Sequence, residues 1–445
     1  MTPSVTTSAR ISADQVRTVL DRHMLADGLP LVLDLERSHG AYLHDSSRGR
    51  ELLDLFTCFS TCPLGYNHPG LRDPEFLERL IPAAVNKPSN SDLYTTQMAE
   101  FVAAFARTVP AALNERMFFI SGGALAVENA LKTAFDWKRR KNLAAGRSEK
   151  GSQIIHFKEA FHGRSGYTLS LTNTDPVKIQ YFPKFDWPRI SNPKLSFPVN
   201  EEVERRVIAG EEQAVREIEA AVARHGHDIA GLIIEPIQGE GGDNHFRREF
   251  LQTLRDLADE HEFLLLYDEV QTGFGATGKW WCFEHFDVVP DVLAFGKKTQ
   301  VCGICAGERV DEVESVFQVS GRINSTWGGS LVDMVRCART VEIIEQEDLL
   351  ENANRVGGQL LAGFRSLAGE HPDLVSNVRG RGLFVAFDLP SREIRERLIR
   401  AMLDEDLLGL RSGSSAVRFR PPLSLVSDDV REGLERLGRA VRRIV

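Results

Sequence analysis

Between Arg116 and Phe295 the chain repeats one pattern: a short, mostly apolar run, a turn, then a longer segment of helical periodicity. The runs Arg116–Ile120, Gln153–Phe157, Ala230–Ile234, Phe263–Tyr267 and Val292–Phe295 have strand length and no polar alternation. Such runs are buried on both faces, which is the habit of parallel strands covered by helices. The intervening segments Val127–Lys141, Glu212–Arg224 and Arg247–His261 read as those helices. In the first of them Val127, Ala130, Leu131, Ala134 and Phe135 recur at helical spacing along one buried face. The pattern predicts an α/β protein built on a mainly parallel sheet. In that architecture ligands collect at the carboxyl edge of the strands, so the residues just past each run are the candidates for function.

The flanks differ in character. Leu31–Leu35 and Ala41–Leu43 read as strands of a small antiparallel element, preceded by a short amphipathic helix over Ser12–Arg22. Phe59–Pro69 and Asn86–Tyr94 read as loops. Beyond Ser330 come a long helix over Val332–Glu345, a second helix, a strand near Gly382–Phe387 and a helix from Ser427 with Asp428 and Asp429 in its first turn. With 445 residues the chain has room for two domains. Its 42% hydrophobic and 26% charged residues are ordinary for a globular protein, and a net charge of −9 disfavours nucleic acid or an anionic membrane as the main partner. No apolar run approaches the roughly 20 residues that span a bilayer. Met1–Ser12 is polar, without the apolar core of a secretory signal, and reads as a mobile tail, so the expected location is cytoplasmic. Cys302-Gly303-Ile304-Cys305 has CxxC spacing but no second pair to complete a zinc site, so no metal is expected and the thiols read as packing residues.

Two run ends stand out. Leu264–Tyr267 leads into Asp268-Glu269-Val270-Gln271-Thr272-Gly273, and Val292–Phe295 leads into Gly296-Lys297-Lys298. A buried carboxylate and a lysine at one sheet edge suit pyridoxal phosphate, the acid keeping the ring nitrogen protonated and the lysine binding the aldehyde. Spacing alone does not separate Lys297 from Lys298. Ser121-Gly122-Gly123-Ala124, between a strand and a helix, offers backbone N–H groups and a helix dipole to a phosphate; it is equally an ordinary helix entry. Phe161 and Arg164 follow the Gln153–Phe157 run, as a stacking ring and a carboxylate grip, or as a core aromatic and a surface cation. Glu235 and Glu240 lie in a glycine-rich loop, where one acid can orient cofactor-binding groups and the other face a substrate. Asn324–Gly329 carries hydroxyls and glycines suited to phosphate, and Arg418 and Arg420 precede a rigid Pro421-Pro422.

The segment from Leu265 through Cys302 resembles the signature of the class III pyridoxal-phosphate-dependent aminotransferases, and the other loops fall in the order that family places them. The resemblance covers nearly the whole chain. Leu171–Thr174, Phe182–Ile190, Phe295–Gly303 and Asn324–Gly329 are similar to the branch of the family that acts on the 6-amino group of lysine. It implies a fold type I transferase, with a large domain around a seven-stranded, mainly parallel sheet and a smaller α+β domain from both termini. The expected division is 1–70 and 331–445 for the small domain and 71–330 for the large one. By the same resemblance Lys297 is the lysine that binds the cofactor aldehyde and Asp268 the acid at the ring nitrogen. Gln271 lies near the ring hydroxyl, Phe161 stacks on the ring, and Glu235 belongs to the cofactor site. Gly123, Ala124 and Thr326 bind the phosphate, Thr326 from the neighbouring subunit, which implies a homodimer with shared sites. Many relatives carry Thr or Ser where this chain has Ala124, so backbone N–H must serve there.

The implied reaction moves the ε-amino group of L-lysine to 2-oxoglutarate in ping-pong order, yielding 2-aminoadipate 6-semialdehyde and L-glutamate. Arg164 would hold lysine's distant carboxylate and Arg418 the carboxylate of the keto acid, with Glu240 covering Arg418 while lysine is bound. Ornithine or 4-aminobutyrate as the amine is the alternative within the family. A non-catalytic relative is disfavoured by the intact Lys297 and Asp268, and a nucleotide-binding protein by the absence of a GxxxxGK[ST] loop.

Overall fold

The structure, a computed structural model, describes residues 11–445; the reading of the N-terminus as a mobile tail falls almost wholly outside them. Seven strands form the central sheet, in the order Arg116–Ile120, Cys302–Ala306, Val292–Phe295, Leu264–Asp268, Ile229–Ile234, Gln153–Phe157 and Arg189–Ile190. Cys302–Ala306 alone runs against its neighbours; the remaining pairings are parallel. Successive side chains therefore enter opposite cores. Ile154, Ile233, Leu264, Leu266 and Ala294 meet Val127, Ala130, Leu131 and Ala134 of the Gly123–Ala144 helix. Ile155, Leu232, Leu265, Tyr267 and Leu293 meet Phe250, Leu254 and Leu257 of the Arg248–Glu260 helix, together with the Thr96–Thr108 and Leu331–Gln346 helices. Complete burial of each leucine in these layers contributes about 2 kcal/mol.

The antiparallel strand explains the CxxC. In an extended chain residues three apart face opposite sides. Accordingly Cys305 lies in one core and Cys302 in another, all six cysteines being free thiols. Gly303 between them is required by packing, since a Cβ there would stand 2.2 Å from the Phe118 carbonyl oxygen and 2.6 Å from the Phe295 ring.

Two smaller sheets lie outside the central one. Tyr42–Asp45 pairs antiparallel with Arg50–Asp54, which pairs parallel with Leu407–Leu408, joining the two ends of the chain. Ser376–Arg381, Phe384–Asp388, Ala416–Phe419 and Leu410–Ser412 form a four-stranded sheet carrying Arg418. On these pairings we propose the boundaries 1–70, 71–330 and 331–445. Leu31–Leu35, read as a strand from its apolar content, makes only one bridge, Leu33 to Asp45. Leu35 lies exposed, and the partner that the reading gave Ala41–Leu43 is taken instead by Arg50–Asp54. The supposed loop after Phe59 begins in a tight left-handed turn, Thr57–Ser60, whose four residues all have positive φ. Asp54 accepts hydrogen bonds from the N–H groups of Phe56 and Thr57, both 2.8 Å, to hold it. Among the described residues no helix is long and apolar enough to cross a membrane.

One ion pair ties together the two elements that reach the sheet edge. Lys138 of the Gly123–Ala144 helix is fully buried, and its Nζ lies 3.1 Å from Oε1 of Glu262, just before the strand that ends at Asp268. Burial pushes the Glu262 carboxyl up, but hydrogen bonds from Arg147 and Lys138 overcome it and hold the group down at about 2. Glu262→Gln leaves the ammonium buried without its counter-charge and should lower stability by about 2 kcal/mol at neutral pH in urea denaturation. Because the folded-state carboxyl titrates below its ordinary 4.5, the difference between wild type and variant should be full above that pH and shrink as pH falls toward about 2.

Candidate active site

Parallel pairing brings the ends of four strands to one rim. Ala294 is in register with Asp268, so Gly296 and Lys297 project just beyond Asp268. Glu235 follows Ile234 on the next strand, and the Gly123–Ala144 helix starts directly after Ile120. Together with the Phe161–Arg164 loop these ends line a cavity of about 290 Å³. Gly123, Ala124, Phe161, Arg164, Glu235, Glu240, Asp268, Gln271 and Lys297, all proposed from sequence, face it. Arg418 reaches it from the four-stranded sheet by donating from Nη1 to Gln271 Oε1 at 2.9 Å and from Nη2 to Glu240 Oε2 at 2.6 Å. Of the residues proposed from sequence only Thr326 stands apart, exposed on a loop that does not line this cavity.

Asp268 is held on both oxygens. Its Oδ1 accepts from the Val270 N–H at 3.0 Å, and its Oδ2 lies 2.8 Å from Nδ1 of the buried His162. Since a carboxylate only accepts, Nδ1 is the protonated ring nitrogen. His162 is the functional residue that sequence reasoning passed over; its one signal was its place beside Phe161 in a loop already singled out. Glu235 is buried alongside, its two oxygens accepting from the N–H groups of Phe161 at 3.0 Å and Gly239 at 2.9 Å. Burial, with the Asp268 charge adding to it against His162, lifts its carboxyl to about 7. The acid thus clamps the loop bearing Phe161 to the loop bearing Glu240. Gly239 permits the close fit, since a Cβ there would stand 2.1 Å from Gln271 Oε1.

The structure separates the two lysines. Lys298 turns away from the cavity and donates from Nζ to the Gln271 carbonyl at 2.6 Å. Lys297 opens onto the cavity from a backbone with φ +54°, a left-handed conformation that costs a non-glycine residue energy and recurs at functional sites. Burial and the nearby Arg418 guanidinium lower its amine to about 8, against the pull of Asp268 and Glu235. A neutral amine is therefore accessible close to neutral pH, which makes Lys297 a nucleophile and a proton carrier.

Three charged groups command the cavity from the substrate side. Arg418 is almost fully buried and held by Glu240 and Gln271. Arg420 lies beneath it, paired with buried Asp243 at 2.7 Å and donating to the same Gln271 oxygen at 3.1 Å. Arg164 is exposed at the mouth and forms no ion pair among the described residues.

The residues present fit pyridoxal phosphate. Asp268, oriented by His162, is a fixed acceptor for a protonated ring nitrogen. Lys297 is a depressed-pKa amine for the aldehyde. The start of the 22-residue Gly123–Ala144 helix, with no side-chain cap on its first N–H groups, faces the cavity as a phosphate seat.

Comparison with known proteins gives the same reading. The family model for aminotransferase class-III matches residues 24–441. The chain is 52% identical over 420 residues to the L-lysine-epsilon aminotransferase of Mycobacterium tuberculosis, covering 94% of this chain and 93% of that one. It is 33% identical over 420 residues to the mitochondrial 4-aminobutyrate aminotransferase of Mus musculus, covering 89% and 82%. The solved structure of the M. tuberculosis lysine aminotransferase superposes with a TM-score of 0.95 at 50% identity, over 98% of this chain and all of that one. The chain belongs to the class III aminotransferases, and it is a pyridoxal-phosphate-dependent transaminase of fold type I.

Proposed function

We propose that this enzyme transfers the ε-amino group of L-lysine to 2-oxoglutarate, releasing 2-aminoadipate 6-semialdehyde and L-glutamate, as a cytoplasmic homodimer. The observation that carries this reading is the pair of carboxylate-binding cations in different states. Arg164 stands open at the cavity mouth, while Arg418 is covered by Glu240 beside Lys297. An amine whose carboxylate lies far from the reacting carbon suits the first arrangement. A 2-keto acid, whose carboxylate adjoins the reacting carbon, needs Arg418 uncovered. The 52% identity to a lysine-epsilon aminotransferase supports lysine as the amine.

Bound pyridoxal phosphate supplies an electron sink for the carbon that exchanges its amino group. The remaining work falls to the chain's own side chains. Asp268, held by His162 and the Val270 N–H, keeps a proton on the ring nitrogen. Nζ of Lys297 in its neutral form takes the proton from the amine-bearing carbon in the lysine half-reaction and gives one to the corresponding carbon of the keto acid in the second. Arg164 holds the distal carboxylate and so sets which amine reaches Lys297. Glu240 neutralises Arg418 during the lysine half-reaction, when a bare cation beside the substrate ammonium would be unfavourable. Gln271 fixes the Arg418 and Arg420 guanidinium groups with one shared oxygen. Thr326 reaches the phosphate of the partner subunit's site; its exposure on a loop beside the exposed Trp327 supports that placement.

Adding L-lysine, L-ornithine or 4-aminobutyrate separately to the holoenzyme, without keto acid, tests the substrate by following the cofactor's visible band. Lysine should bleach it fastest; faster bleaching by ornithine or 4-aminobutyrate would replace lysine while keeping the family. Glu240→Ala should slow the lysine half-reaction at least tenfold more than the glutamate half-reaction in single-turnover stopped flow, and equal losses would remove the covering role. Reconstitution of the cofactor-free enzyme should accelerate as pH rises through about 8, because the reactive amine of Lys297 is the unprotonated form. A flat profile from pH 6.5 to 9 would contradict the lowered amine.

A further inference from the structure

Glu240 lines two cavities. One is the active site, and the other is a cleft of about 540 Å³ behind it, walled by Thr174–Lys178 of the large domain and Ser412–Ser414 of the small one. The carboxylate spans the partition. Its Oε2 accepts from Arg418 at 2.6 Å, and its Oε1 lies 2.5 Å from Nζ of Lys178 in the rear cleft. Burial pushes the carboxyl up, yet Arg418 and Lys178 together hold it below the usual range.

Lys178 is placed for this contact and little else. It ends a short turn over Pro176–Lys178, in which Asp175 Oδ1 accepts from the Val177 N–H at 3.0 Å. Its ammonium also touches Thr174 Oγ1 at 3.3 Å and stands 5.3 Å from the Phe161 ring. Of the other cations of the cleft, Arg392 lies exposed and makes no ion pair among the described residues, and the remaining three are engaged elsewhere. Lys194 pairs with Glu159 at 2.6 Å, Arg411 with Glu396 at 2.7 Å, and Arg395 donates to the Ser412 and Gly413 carbonyls. Meanwhile the main chain at Glu240 is pinned, its carbonyl accepting from the Gly413 N–H at 2.9 Å and Ser412 Oγ donating to the Gly239 carbonyl at 2.7 Å. With the backbone held, only the Glu240 side chain is free to choose between its two cations.

We propose that Lys178 is a positioning residue for amino-acceptor exchange: it receives the Glu240 carboxylate in the rear cleft when Arg418 is released to bind the keto acid. This rests on the covering role of Glu240 proposed above. The argument is one of charge balance. When the incoming carboxylate takes Arg418, Glu240 is left beside an anion unless another cation holds it, and burying an unpaired carboxylate is costly. Lys178 already touches one oxygen, so the transfer is a small rotation that loses one ion pair and keeps the other. Without Lys178 the carboxylate stays on Arg418 and competes with the keto acid, while the lysine half-reaction, which needs the covered arginine, is spared.

The test is the single-turnover kinetics of both half-reactions for Lys178→Met, Lys178→Arg, Glu240→Gln and the Lys178→Met/Glu240→Gln double variant as holoenzymes. Lys178→Met should raise the half-saturating 2-oxoglutarate concentration about fivefold, the scale of one half-buried ion pair, and change the lysine half-reaction less than twofold. Lys178→Arg should restore the wild-type value. In the Glu240→Gln background the Lys178→Met penalty should vanish, because no carboxylate remains to compete. An equal penalty with and without Glu240 would show that Lys178 acts through Phe161 or the fold, and would overturn the proposal. So would losses shared equally by the two half-reactions. If the wild type prefers another amine or keto acid, the same comparison is made with that pair, so the substrate assignment and the Lys178 role fail separately.

Discussion

The parallel pairing of Leu264–Asp268 with Val292–Phe295 is the constraint on which the site depends. With Ala294 opposite Asp268, the acid and Lys297 emerge at the same rim. A slip of one residue would exchange the faces of either strand, sending Leu264 and Leu266 into the wrong core and Asp268 away from the cavity. The register is secured by burial of both strands on both faces and by Asp291, whose Oδ2 accepts from the Leu265 N–H at 2.7 Å and pairs with Arg255 at 2.9 Å. Packing far from the chemistry therefore sets the distance at which the chemistry works.

Around that rim the charges are arranged in opposed sets. Toward the sheet, Asp268 and Glu235 are clamped by His162 and by backbone N–H groups. Toward the four-stranded sheet, Arg418 and Arg420 are clamped by Gln271, Glu240 and Asp243. Lys297 sits between the sets, and the contest between burial plus Arg418 on one side and the two acids on the other leaves its amine near 8. Burial of Asp268, Glu235, Arg418 and Arg420 magnifies each of these interactions, so the loss of one partner alters the rest. Glu240 stands between the two cavities with a partner in each, Arg418 on one side and Lys178 on the other.

The seven-stranded sheet and its helices were legible because the strands are apolar runs and the helices keep a clear period. Arg116–Ile120, Gln153–Phe157 and Val292–Phe295 stand where the sequence reading placed them. The cavity-lining residues were legible for the same reason, since a residue just past a buried parallel strand has few other places to go. Local pattern failed at the edges of the fold. Leu31–Leu35 has strand composition but makes only the single Leu33–Asp45 bridge, Arg50–Asp54 pairs despite its charges, and the Thr57–Ser60 turn is held by Asp54 rather than by glycines. Arg50–Asp54 also pairs with Leu407–Leu408, and Thr57 Oγ1 donates to the Arg420 carbonyl, contacts with sequence-distant chain that no local window contains.

By itself the sequence determined a parallel α/β sheet and a set of ligand-bearing loops at its carboxyl edge, because periodicity and turn chemistry are local properties. Spacing left Lys297 and Lys298 undivided and only the family resemblance separated them; the tertiary structure supplies the physical reason, since the Lys298 ammonium is drawn off to the Gln271 carbonyl while Lys297 lines the cavity. Tertiary structure alone recruited His162 to Asp268 across 106 positions of sequence, and Lys178 to Glu240 across 62. Those pairings are long-range and electrostatic. They exist only once burial has removed the water that would otherwise satisfy each charge by itself.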